Sequence, residues 1–212
     1  MNNVLHIVTP VSRPELIAKI AKSIKDQYYP TPNLRIEWHL VFDAALTGDQ
    51  KNYIFSQLMF IDFANILHSD TAKAFVGHAH RNFFLNHLRK EVYGSNHWIY
   101  FLDDDTILHP DFISTVTDIL PQMDLTHGCI IFNQDFNESR PRLVADKNNV
   151  RVGHIDMGMY MFRFMPDDMV MFDPADYCAD GIYAEHLFQL HGSSGFHRLN
   201  KTLSYYNYLR PE

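Results

Sequence analysis

The sequence has little cysteine and no long apolar run. Cysteine occurs twice in 212 residues, as Cys129 and Cys178, and the two are not spaced as metal ligands. So few cysteines indicate a reducing compartment, with at most one optional disulfide. No run reaches the roughly 18 apolar residues of a membrane span, and the N-terminus shows no basic and then apolar leader. We therefore expect a soluble, cytoplasmic protein, and leave open a peripheral contact with a membrane, a removed leader or an upstream anchor.

Positive charge is also sparse. The chain has 18 Lys and Arg against 25 Asp and Glu, a net charge of −7, and its basic residues form no cluster. Proteins that bind nucleic acid usually concentrate positive charge on one face, so this balance argues against nucleic acid as the main partner. It does not argue against a nucleotide that is bound through a metal ion.

Glycine is missing where a phosphate-binding loop would need it. Residues 9–12, which follow the first predicted strand, contain none of the 9 glycines of the chain. P-loops and dinucleotide-binding Rossmann loops cradle phosphates with a glycine-rich backbone. A sugar nucleotidyltransferase would also be expected to have glycine there. These three kinds of site are therefore disfavoured.

The sequence does contain a regular α/β pattern. Hydrophobic residues make up 46% and charged residues 20%, which is typical of a globular fold. An apolar strand at residues 4–8, a helix from residue 14 and a second strand at residues 36–42 follow one another. This is the β-α-β order of a parallel sheet. We expect a single domain over residues 1–212, with a Rossmann-like, mostly parallel central sheet flanked by helices.

Further elements continue this alternation along the chain. Helices are predicted at residues 49–63, 78–92 and 110–120, and from residue 180 onward. Strands are predicted at residues 64–67, 98–102, 127–132 and 155–162, with one or two more within residues 195–211. Residues 133–149 are polar and aperiodic, and are predicted to form a mobile loop.

The central motif is an aromatic strand followed directly by three carboxylates, Asp103, Asp104 and Asp105. Its apolar run predicts a strand buried on both faces, and open α/β sheets bind ligands at the carboxyl ends of their strands. Adjacent carboxylates repel one another unless a cation compensates them, and hard oxygen ligands suit Mg²⁺ or Mn²⁺ with a bound phosphate. Strand alternation would point Asp103 and Asp105 to one side and Asp104 to the other. The alternative is a solvated turn in which Asp105 caps the next helix.

Other polar side chains fall at strand ends or helix starts. They are Arg13, Asp43, Arg81, Asp156 and Asp180. A parallel sheet would gather many of them at the edge that carries the three carboxylates. Arg81 lies one turn ahead of the apolar stripe of its helix, so its guanidinium is expected to point toward the sheet. The alternative is an ordinary surface charge.

Taken in chain order, five stretches resemble glycosyltransferases of the GT-A fold. The similarity is greatest to the glucuronyltransferases of family 43 and more distant to the large family 2, and it extends to about residue 162. The stretches are Ile7-Val8-Thr9-Pro10 with Arg13-Pro14 (family pattern VTPTY…RP), residues 32–44 (VPNLHW…VVEDA), Gly77 with Arg81-Asn82 and Leu88-Arg89 (GV.QRN.AL.WLR), Tyr100-Phe101-Leu102-Asp103-Asp104-Asp105 (VYFADDD, the DXD-type metal motif) and Ile155-Asp156-Met157 (VDMAGFA).

The resemblance implies that residues 1–105 bind a nucleotide sugar and that residues 106–212 bind the acceptor. Asp43 would hold the uracil of a UDP-sugar, and Asp104 would hold its ribose. Asp105 would coordinate Mn²⁺, or Mg²⁺, at the diphosphate, with Asp103 close to the metal and the donor sugar. Further contacts with the donor would come from Thr9, Pro10, Arg13 and Arg81, and Asp156 would line the donor-sugar or acceptor pocket.

The resemblance also implies a catalytic base and a histidine beside the metal. In an inverting enzyme a positioned carboxylate removes the proton of the attacking hydroxyl. Asp180 is similar to the last acid of the family's xED element and is the first candidate, and Glu185 is the second; a plain helix N-cap is the alternative for Asp180. The family's C-terminal WH.R segment has no clear counterpart, so His197 is assigned to the metal with His191 as the alternative.

We therefore expect a metal-dependent glycosyltransferase of the hexosyl or glycuronosyl type. It would move a sugar from a nucleotide sugar, with UDP the expected nucleotide, to a glycan or another hydroxyl acceptor with inversion. Breaking the donor bond places negative charge on the diphosphate, which a divalent cation stabilises. Two other classes stay open: a metal-dependent nucleotidyl- or phosphotransferase, and a non-catalytic protein that binds sugar nucleotides or carbohydrate.

Overall fold

A mixed β-sheet runs through the centre of the protein. The structure is a computed structural model that describes residues 3–28, 32–59, 61–70, 77–91 and 96–210. Within these ranges the strands are β1 (Asn3–Val11), β2 (Leu34–Phe42), β3 (Ala64–His68), β4 (His97–Phe101), β5 (Ile107–Leu108), β6 (Cys129–Asn137), β7 (Arg140–Leu143), β8 (Tyr160–Arg163) and β9 (Phe196–Tyr205). The helices are α1 (Ile17–Lys25), α2 (Gly48–Leu58), α3 (His78–Glu91), α4 (Phe112–Ile119) and α5 (Ala179–His191).

The strands lie in the order β3-β2-β1-β4-β8-β6-β9-β5, and β7 pairs with β6. The first four are parallel, as their β-α-β order predicts. β8 runs antiparallel between β4 and β6, so β6 and its parallel neighbour β9 point in the same direction as β4. Six of the nine described strands therefore share one direction, and their carboxyl ends lie at one edge of the sheet.

Helices cover both faces of the sheet, which explains the continuous apolar runs of the central strands. Alternate residues of β4 enter two separate cores: Trp98 and Tyr100 pack in the core that contains α1, α2 and α4, and Ile99 and Phe101 pack in the core that contains α3 and α5. Because both sides are filled, little room for ligands is left except at the strand ends.

Two predicted boundaries near the site differ from the structure. β1 continues through residues 9 and 10 to Val11, whereas the predicted strand ended at residue 8. β4 ends at Phe101, so Asp103, Asp104 and Asp105 lie in a turn after the strand. The backbone N–H of Thr106 closes this turn on the carbonyl of Asp103 at 3.0 Å. The strand alternation expected of the three carboxylates therefore does not apply.

The predicted mobile loop at residues 133–149 is wrong in its first part. β6 extends to Asn137, and the chain then turns back as β7. The backbone of β6 pairs with β9 on one side and with β7 on the other, which holds this segment in the sheet. The predicted strand at 155–162 begins instead as a 3₁₀ turn, Met157–Met159, since the side chain of Asp156 accepts the N–H of Gly158. Residues 92 and 211, the predicted ends of the third helix and of the last strand region, lie outside the described residues.

Both cysteines of the chain lie within the described residues. Cys129 is buried in β6 and Cys178 is exposed before α5, and both are free thiols. Among the described residues, no helix combines the length and the apolar character needed to cross a bilayer. Within the described ranges the longest helix is α3, with 14 residues.

Candidate active site

The carboxyl edge of the parallel strands collects most of the predicted polar residues. β1 and β2 stay in register to their last residues, and β4 pairs with β1 up to its own end. Because these strands end side by side, the turns that follow them meet, and α3 and α5 begin at the same edge. The residues brought together there are Arg13, Asp43, Arg81, Asp103, Asp104, Asp105 and Asp180.

Asp104 anchors the loop that follows β1. The residue is 2% exposed, and its Oδ2 accepts hydrogen bonds from the backbone N–H groups of Ser12 at 2.6 Å and Arg13 at 2.8 Å. The Ser12 hydroxyl donates to the same oxygen at 3.0 Å, and the Arg13 guanidinium donates to Oδ1. Since both oxygens are occupied, the ribose contact implied by the family resemblance would require one of these bonds to break.

Asp105 accepts hydrogen bonds from two arginines on one oxygen. Arg13 Nη1 donates to its Oδ2 at 2.5 Å, and Arg210 Nε donates to the same atom. The backbone N–H of Leu209 donates to the Asp105 carbonyl at 3.0 Å. Hydrogen bonds between charged groups are the strong ones, so these contacts fix the C-terminal segment against the acidic turn.

Arg81 joins the acidic turn to the start of α5. Its guanidinium is fully buried, and it donates to Asp103 Oδ1 at 2.5 Å through Nη2 and to Asp180 Oδ1 at 2.7 Å through Nη1. Burial alone would lower the pKa of Arg81, but the two carboxylates outweigh it and raise the pKa. The expectation that Arg81 faces the sheet is confirmed, and the alternative of a surface charge is wrong.

Asp180 has an unusual electrostatic position. It lies in the first turn of α5, and the residue before Ala179, not Asp180, occupies the N-cap. The pKa of Asp180 is raised to about 7, mainly by burial and also by the charges of Asp103 and Asp156, while Arg81 acts in the opposite direction. A carboxylate whose pKa lies near neutrality suits general base chemistry, because it can accept a proton and release it at physiological pH.

A polar pocket of about 350 Å³ opens beside Asp180. Two further carboxylates face it, Asp103 and Asp156. The rest of its wall is basic and aromatic at several points, including Arg142, Tyr177, Tyr206 and Arg210. A pocket with several carboxylates, arginines and two tyrosine rings offers many hydrogen bonds, as a site for a hydroxyl-rich ligand needs.

Arg142 is the main pocket residue that the sequence analysis missed. Its guanidinium donates to Asp156 Oδ2 at 2.9 Å and lies 3.6 Å from the centre of the Tyr206 ring. The residue lies on β7, inside the segment that the sequence predicts to be a mobile loop, and a loop residue has no predictable position relative to the sheet edge. The exposed Pro141 between two arginines is consistent with an edge strand, but polar residues around it removed any apolar alternation.

Asp43 follows β2 and is also buried. Its Oδ1 accepts the backbone N–H of Ala45 at 2.8 Å. Its Oδ2 is buried without a hydrogen-bond partner among the described residues, and His80 Nε2 lies 4.0 Å away. An unsatisfied buried carboxylate oxygen is costly, so this atom is suited to a donor supplied by a ligand.

The structure gives Thr9 and Pro10 roles inside the fold. Thr9 is fully buried, and its Oγ1 accepts the indole N–H of Trp38 at 3.0 Å. Pro10 packs beside Gly77, where an added Cβ would lie 3.2 Å from the Pro10 Cβ. Gly77 has a φ of +83°, so this position requires glycine for its backbone as well as for space. Neither Thr9 nor Pro10 therefore presents a free polar side chain for its predicted contact with the nucleotide-sugar donor.

Three predicted residues are not brought to the pocket. His197 lies at the start of β9, where its ring is 6.0 Å from that of His127. The other end of β9 pairs with β5 beside the acidic turn, at Tyr205. Tyr205 is eight residues further along the strand than His197, a distance on the order of 25 Å. His191 packs near Gly128 at the same distant edge. Glu185 uses its Oε1 to accept the N–H of Val152 at 2.7 Å.

The acidic turn fits a hard divalent cation in its chemistry without forming a closed set of ligands. Within the described ranges, its three carboxylates do not bring three ligand atoms within 4.8 Å of one another. Asp103 Oδ2 and Asp105 Oδ1 accept no hydrogen bond from the residues that the structure describes. Mg²⁺ and Mn²⁺ often bind one or two carboxylates and complete their shell with phosphate and water, and Asp103 and Asp105 each offer one such oxygen.

Comparisons with known proteins identify similar folds. No protein-family model and no curated protein sequence matches the chain. S. aureus TarS 1-349 superposes with a TM-score of 0.69 at 14% identity, over 96% of this chain and 60% of that chain. The same fragment in complex with UDP-GlcNAc gives a TM-score of 0.71 at 13% identity, over 95% and 57%. The mannosyltransferase PcManGT from Pyrobaculum calidifontis, in complex with GDP-Man and Mn²⁺, gives 0.61 at 15% identity, over 94% and 55%.

These similarities establish the fold. The expected α/β fold, a mostly parallel sheet flanked by helices, is confirmed, and it matches the fold of a mannosyltransferase and of a protein that binds UDP-GlcNAc. The chain spans 60% or less of the length of these structures. At such low identity the matches agree with a GT-A-like fold and do not distinguish family 43 from other glycosyltransferase families.

Proposed function

We propose that the protein is a glycosyltransferase that transfers a sugar from a nucleotide sugar, with UDP as the expected nucleotide, to a hydroxyl acceptor with inversion. The observation that carries the proposal is the buried Arg81, which joins Asp103 of the acidic turn to Asp180 at the wall of a polar pocket. This arrangement supports the proposal, because a carboxylate with a raised pKa, a buried cation and a polar pocket lie at the sheet edge where α/β folds bind ligands.

The nucleotide would lie over the ends of β1 and β2. Asp43 Oδ2 is suited to accept the N–H of a uracil ring, because it is buried and lacks a hydrogen-bond partner among the described residues. Arg13 and Arg210 lie at Asp105, and their remaining N–H groups are available to diphosphate oxygens. The complexes of TarS with UDP-GlcNAc and of PcManGT with GDP-Man support a nucleotide sugar as the ligand of this fold.

Mn²⁺ or Mg²⁺ would be held by Asp105 and Asp103, which have free carboxylate oxygens for a hard cation. When bound, the ion would supply a Lewis acid that stabilises negative charge on the leaving diphosphate. Arg13 and Arg210 contribute fixed positive charge at the same place, so the chain itself already provides part of that stabilisation. The Mn²⁺ in the PcManGT complex supports this assignment.

In the transfer step the acceptor oxygen attacks the anomeric carbon as the bond from that carbon to the phosphate oxygen breaks. The diphosphate leaves with the electron pair, and Asp180 takes the hydroxyl proton. Its pKa of about 7 keeps much of it deprotonated at neutral pH while leaving it basic enough to accept the proton. Arg81 holds one oxygen of Asp180 and leaves the pocket-facing side of the carboxylate for the acceptor.

A donor panel tests the proposal. UDP-GlcNAc, other UDP-sugars and GDP-Man are incubated with the full chain, with and without Mn²⁺, and thermal stability is measured. A donor that binds the folded state raises the unfolding temperature by mass action. The stabilising donor, labelled in its sugar, is then offered with a panel of glycan and other hydroxyl acceptors.

The expected result is a labelled glycoside and one UDP released for each sugar transferred. Release of pyrophosphate would assign the chain to nucleotidyl transfer instead, and transfer of a phosphoryl group would assign it to phosphotransfer. Binding of donor with no turnover across the acceptor panel would favour the non-catalytic class. No stabilisation by any nucleotide sugar would overturn the proposal at its first step.

A further inference from the structure

A second cluster of polar side chains lies inside the sheet, away from the carboxyl edge. His6 on β1 and Glu37 and His39 on β2 project from the face of the sheet that α3 covers, and His97 on β4 lies beside them. The Phe84 ring of α3 lies 5.9 Å from the His6 ring and 4.8 Å from the His39 ring. His6 is 2% exposed and His39 6% exposed. The cluster has no part in the proposed transfer.

Three atoms of this cluster converge. His6 Nδ1 lies 3.0 Å from His39 Nε2, and each of these nitrogens lies 3.3 Å from Glu37 Oε2. Within the described ranges this is the group of three histidine, cysteine or acidic ligand atoms found close enough together to hold an ion. Ligands 2.0–2.1 Å from a divalent ion lie about 3.0 Å apart around an octahedral centre and about 3.4 Å apart around a tetrahedral one. The three observed separations fall in that interval.

Hydrogen bonding explains the same triangle less well. If both nitrogens carry protons for Glu37, two donors face each other at 3.0 Å, and each bond to the carboxylate is longer than the roughly 2.7–2.9 Å of a charge-assisted hydrogen bond. If only one nitrogen carries a proton, the other presents a lone pair to the carboxylate. A cation at the centre of the triangle removes both conflicts.

The surroundings also suit a metal ligand set. His6 Nε2 lies 2.9 Å from His97 Nδ1, and donation in that direction leaves His6 Nδ1 with its lone pair toward the triangle. The second oxygen of Glu37 accepts from Arg35, which orients the carboxylate. Glu37 is the partly exposed member of the triangle, with 16% of its side chain open to solvent, and it also lines an open groove of about 600 Å³.

We propose that His6, Glu37 and His39 bind one divalent transition-metal ion, Zn²⁺ in the first instance, at a site separate from the nucleotide-sugar site. Two imidazoles and one carboxylate are typical zinc ligands, and a fourth position is left for water. The ion cross-links β1 to β2 under α3. Since the ligands come from the middle of two central strands, its effect is on the stability of the sheet.

The test titrates the chelator-treated full chain with Zn²⁺ and with Co²⁺ in the absence of nucleotide. We expect one equivalent of Zn²⁺, a rise in the unfolding temperature, and a Co²⁺ absorption spectrum of a four- or five-coordinate nitrogen and oxygen site. Glu37→Gln keeps the size of the side chain and removes its charge, and is expected to weaken Zn²⁺ binding at least about 10-fold. His39→Gln removes a ligand and is expected to abolish the Co²⁺ spectrum.

Two matched controls separate this site from other places where the ion can bind. The double variant with His127→Gln and His197→Gln removes a histidine pair at the sheet edge, and should bind Zn²⁺ as the wild type does. Asp105→Asn should keep the Zn²⁺ site while weakening Mn²⁺-dependent binding of UDP. His39→Gln should do the reverse, so failure of this proposal and failure of the proposed function give different results.

The wild-type measurements decide the case even if a cluster variant does not fold. Less than about one tenth of an equivalent of Zn²⁺ bound, or a Co²⁺ spectrum of the hydrated ion, would overturn the proposal and leave a metal-free hydrogen-bonded cluster. Equal Zn²⁺ affinity in the wild type and in a folded Glu37→Gln variant would overturn it as well.

Discussion

Arg81 Nη1 donates a hydrogen bond to Asp180 Oδ1 across 2.7 Å, although 99 positions separate the two residues in the chain. The same guanidinium reaches Asp103 at 2.5 Å, so one buried cation bridges the acidic turn and the first turn of α5. It lies among the aromatic rings of Phe101 and Phe172, 5.8 and 5.7 Å from their centres. In this apolar setting the positive charge of Arg81 favours the ionised form of Asp103 and Asp180 and its hydrogen bonds hold both in place. Arg81 thereby links the predicted donor-binding half of the chain to the predicted acceptor-binding half.

Asp180→Asn is expected to lower transfer by about 100-fold or more while leaving donor binding within about threefold, because an amide cannot accept the hydroxyl proton. Asparagine has nearly the same shape and can still accept a hydrogen bond from Arg81 through its Oδ1. Initial rates with saturating donor measure the first quantity, and calorimetric titration with the nucleotide measures the second.

Glu185→Gln is the matched control, since it also removes a carboxylate from α5. Glu185 serves the backbone of Val152, so the amide should keep that hydrogen bond and the transfer rate. Full activity of Asp180→Asn together with an inactive Glu185→Gln would show that the base is Glu185.

The pH profile of kcat/KM should rise through about pH 7 and then level off. Burial raises the pKa of Asp180 to about 7, so below that pH most of the free enzyme carries a protonated, inactive base. One group then gives a tenfold loss for each pH unit on the acid side. A profile between about pH 5 and about pH 9 measures this, and a flat profile over that range, as an aspartate with an ordinary pKa near 4 would give, would contradict it.

Asp156→Asn provides a control for the cause of that shift. The negative charge of Asp156 contributes to the raised pKa of Asp180, so removing it should move the break toward lower pH. The amide oxygen can still accept the N–H of Gly158 as Oδ1 does now, while the hydrogen bond that Arg142 donates to Oδ2 is lost, because an amide has one acceptor oxygen. An unchanged break would mean that burial and Asp103 account for the shift.

The part of the site that could be predicted lies where local sequence and strand order suffice. Buried strands are apolar on both faces, and parallel strands end together, so Asp43, Asp103 and Arg81 could be assigned to one edge before the structure was known. What sequence patterns do not contain is the pairing of distant strands. Arg142 lies on an edge strand with no apolar alternation, and Arg210 reaches Asp105 only because β9 pairs with β5.

The sequence is also a poor guide to which histidines bind metal. The chain has 13 histidines, so a histidine near the expected position in the sequence is weak evidence for a metal ligand. His197 lies beside His127, at the end of β9 that is far from the acidic turn. The sequence pattern does not identify His6, Glu37 and His39 as ligands, because each is an isolated polar residue within an apolar strand. Their convergence depends on the register of β1 and β2, in which His6 pairs with Glu37.

Arg81→Gln is expected to lower the free energy of unfolding by about 3–5 kcal/mol at pH 8, because it leaves Asp103 and Asp180 without their buried cation. The loss should be smaller at pH 6. An aspartate whose folded pKa is raised binds its proton more readily in the folded state than in the unfolded state. The free energy of unfolding therefore falls as the pH rises from the unfolded pKa to the folded pKa of about 7. Removing Arg81 raises the pKa of Asp180 further, which makes the variant more sensitive to pH than the wild type.

Urea unfolding at the two pH values measures this difference. Arg81→Lys is the conservative control, since an ammonium keeps the charge but cannot bridge two carboxylates with the planar geometry of a guanidinium. Its loss should be intermediate. An equal loss for Arg81→Gln at pH 6 and pH 8 would indicate that packing against Phe101 and Phe172, and not charge, accounts for the contribution of Arg81.

Asp43→Asn is expected to reverse the preference for the nucleobase. The backbone N–H of Ala45 requires an acceptor, so the amide oxygen should take the place of Oδ1 and its NH₂ group the place of Oδ2. The group facing the base then changes from an acceptor to a donor. The N3 position of uracil is a donor and that of cytosine is an acceptor, so UDP should bind about 10-fold more weakly and CDP more tightly, a change of about 1–3 kcal/mol in relative affinity. Calorimetric titration of both nucleotides into wild type and variant measures this, and parallel losses for UDP and CDP would place the base elsewhere.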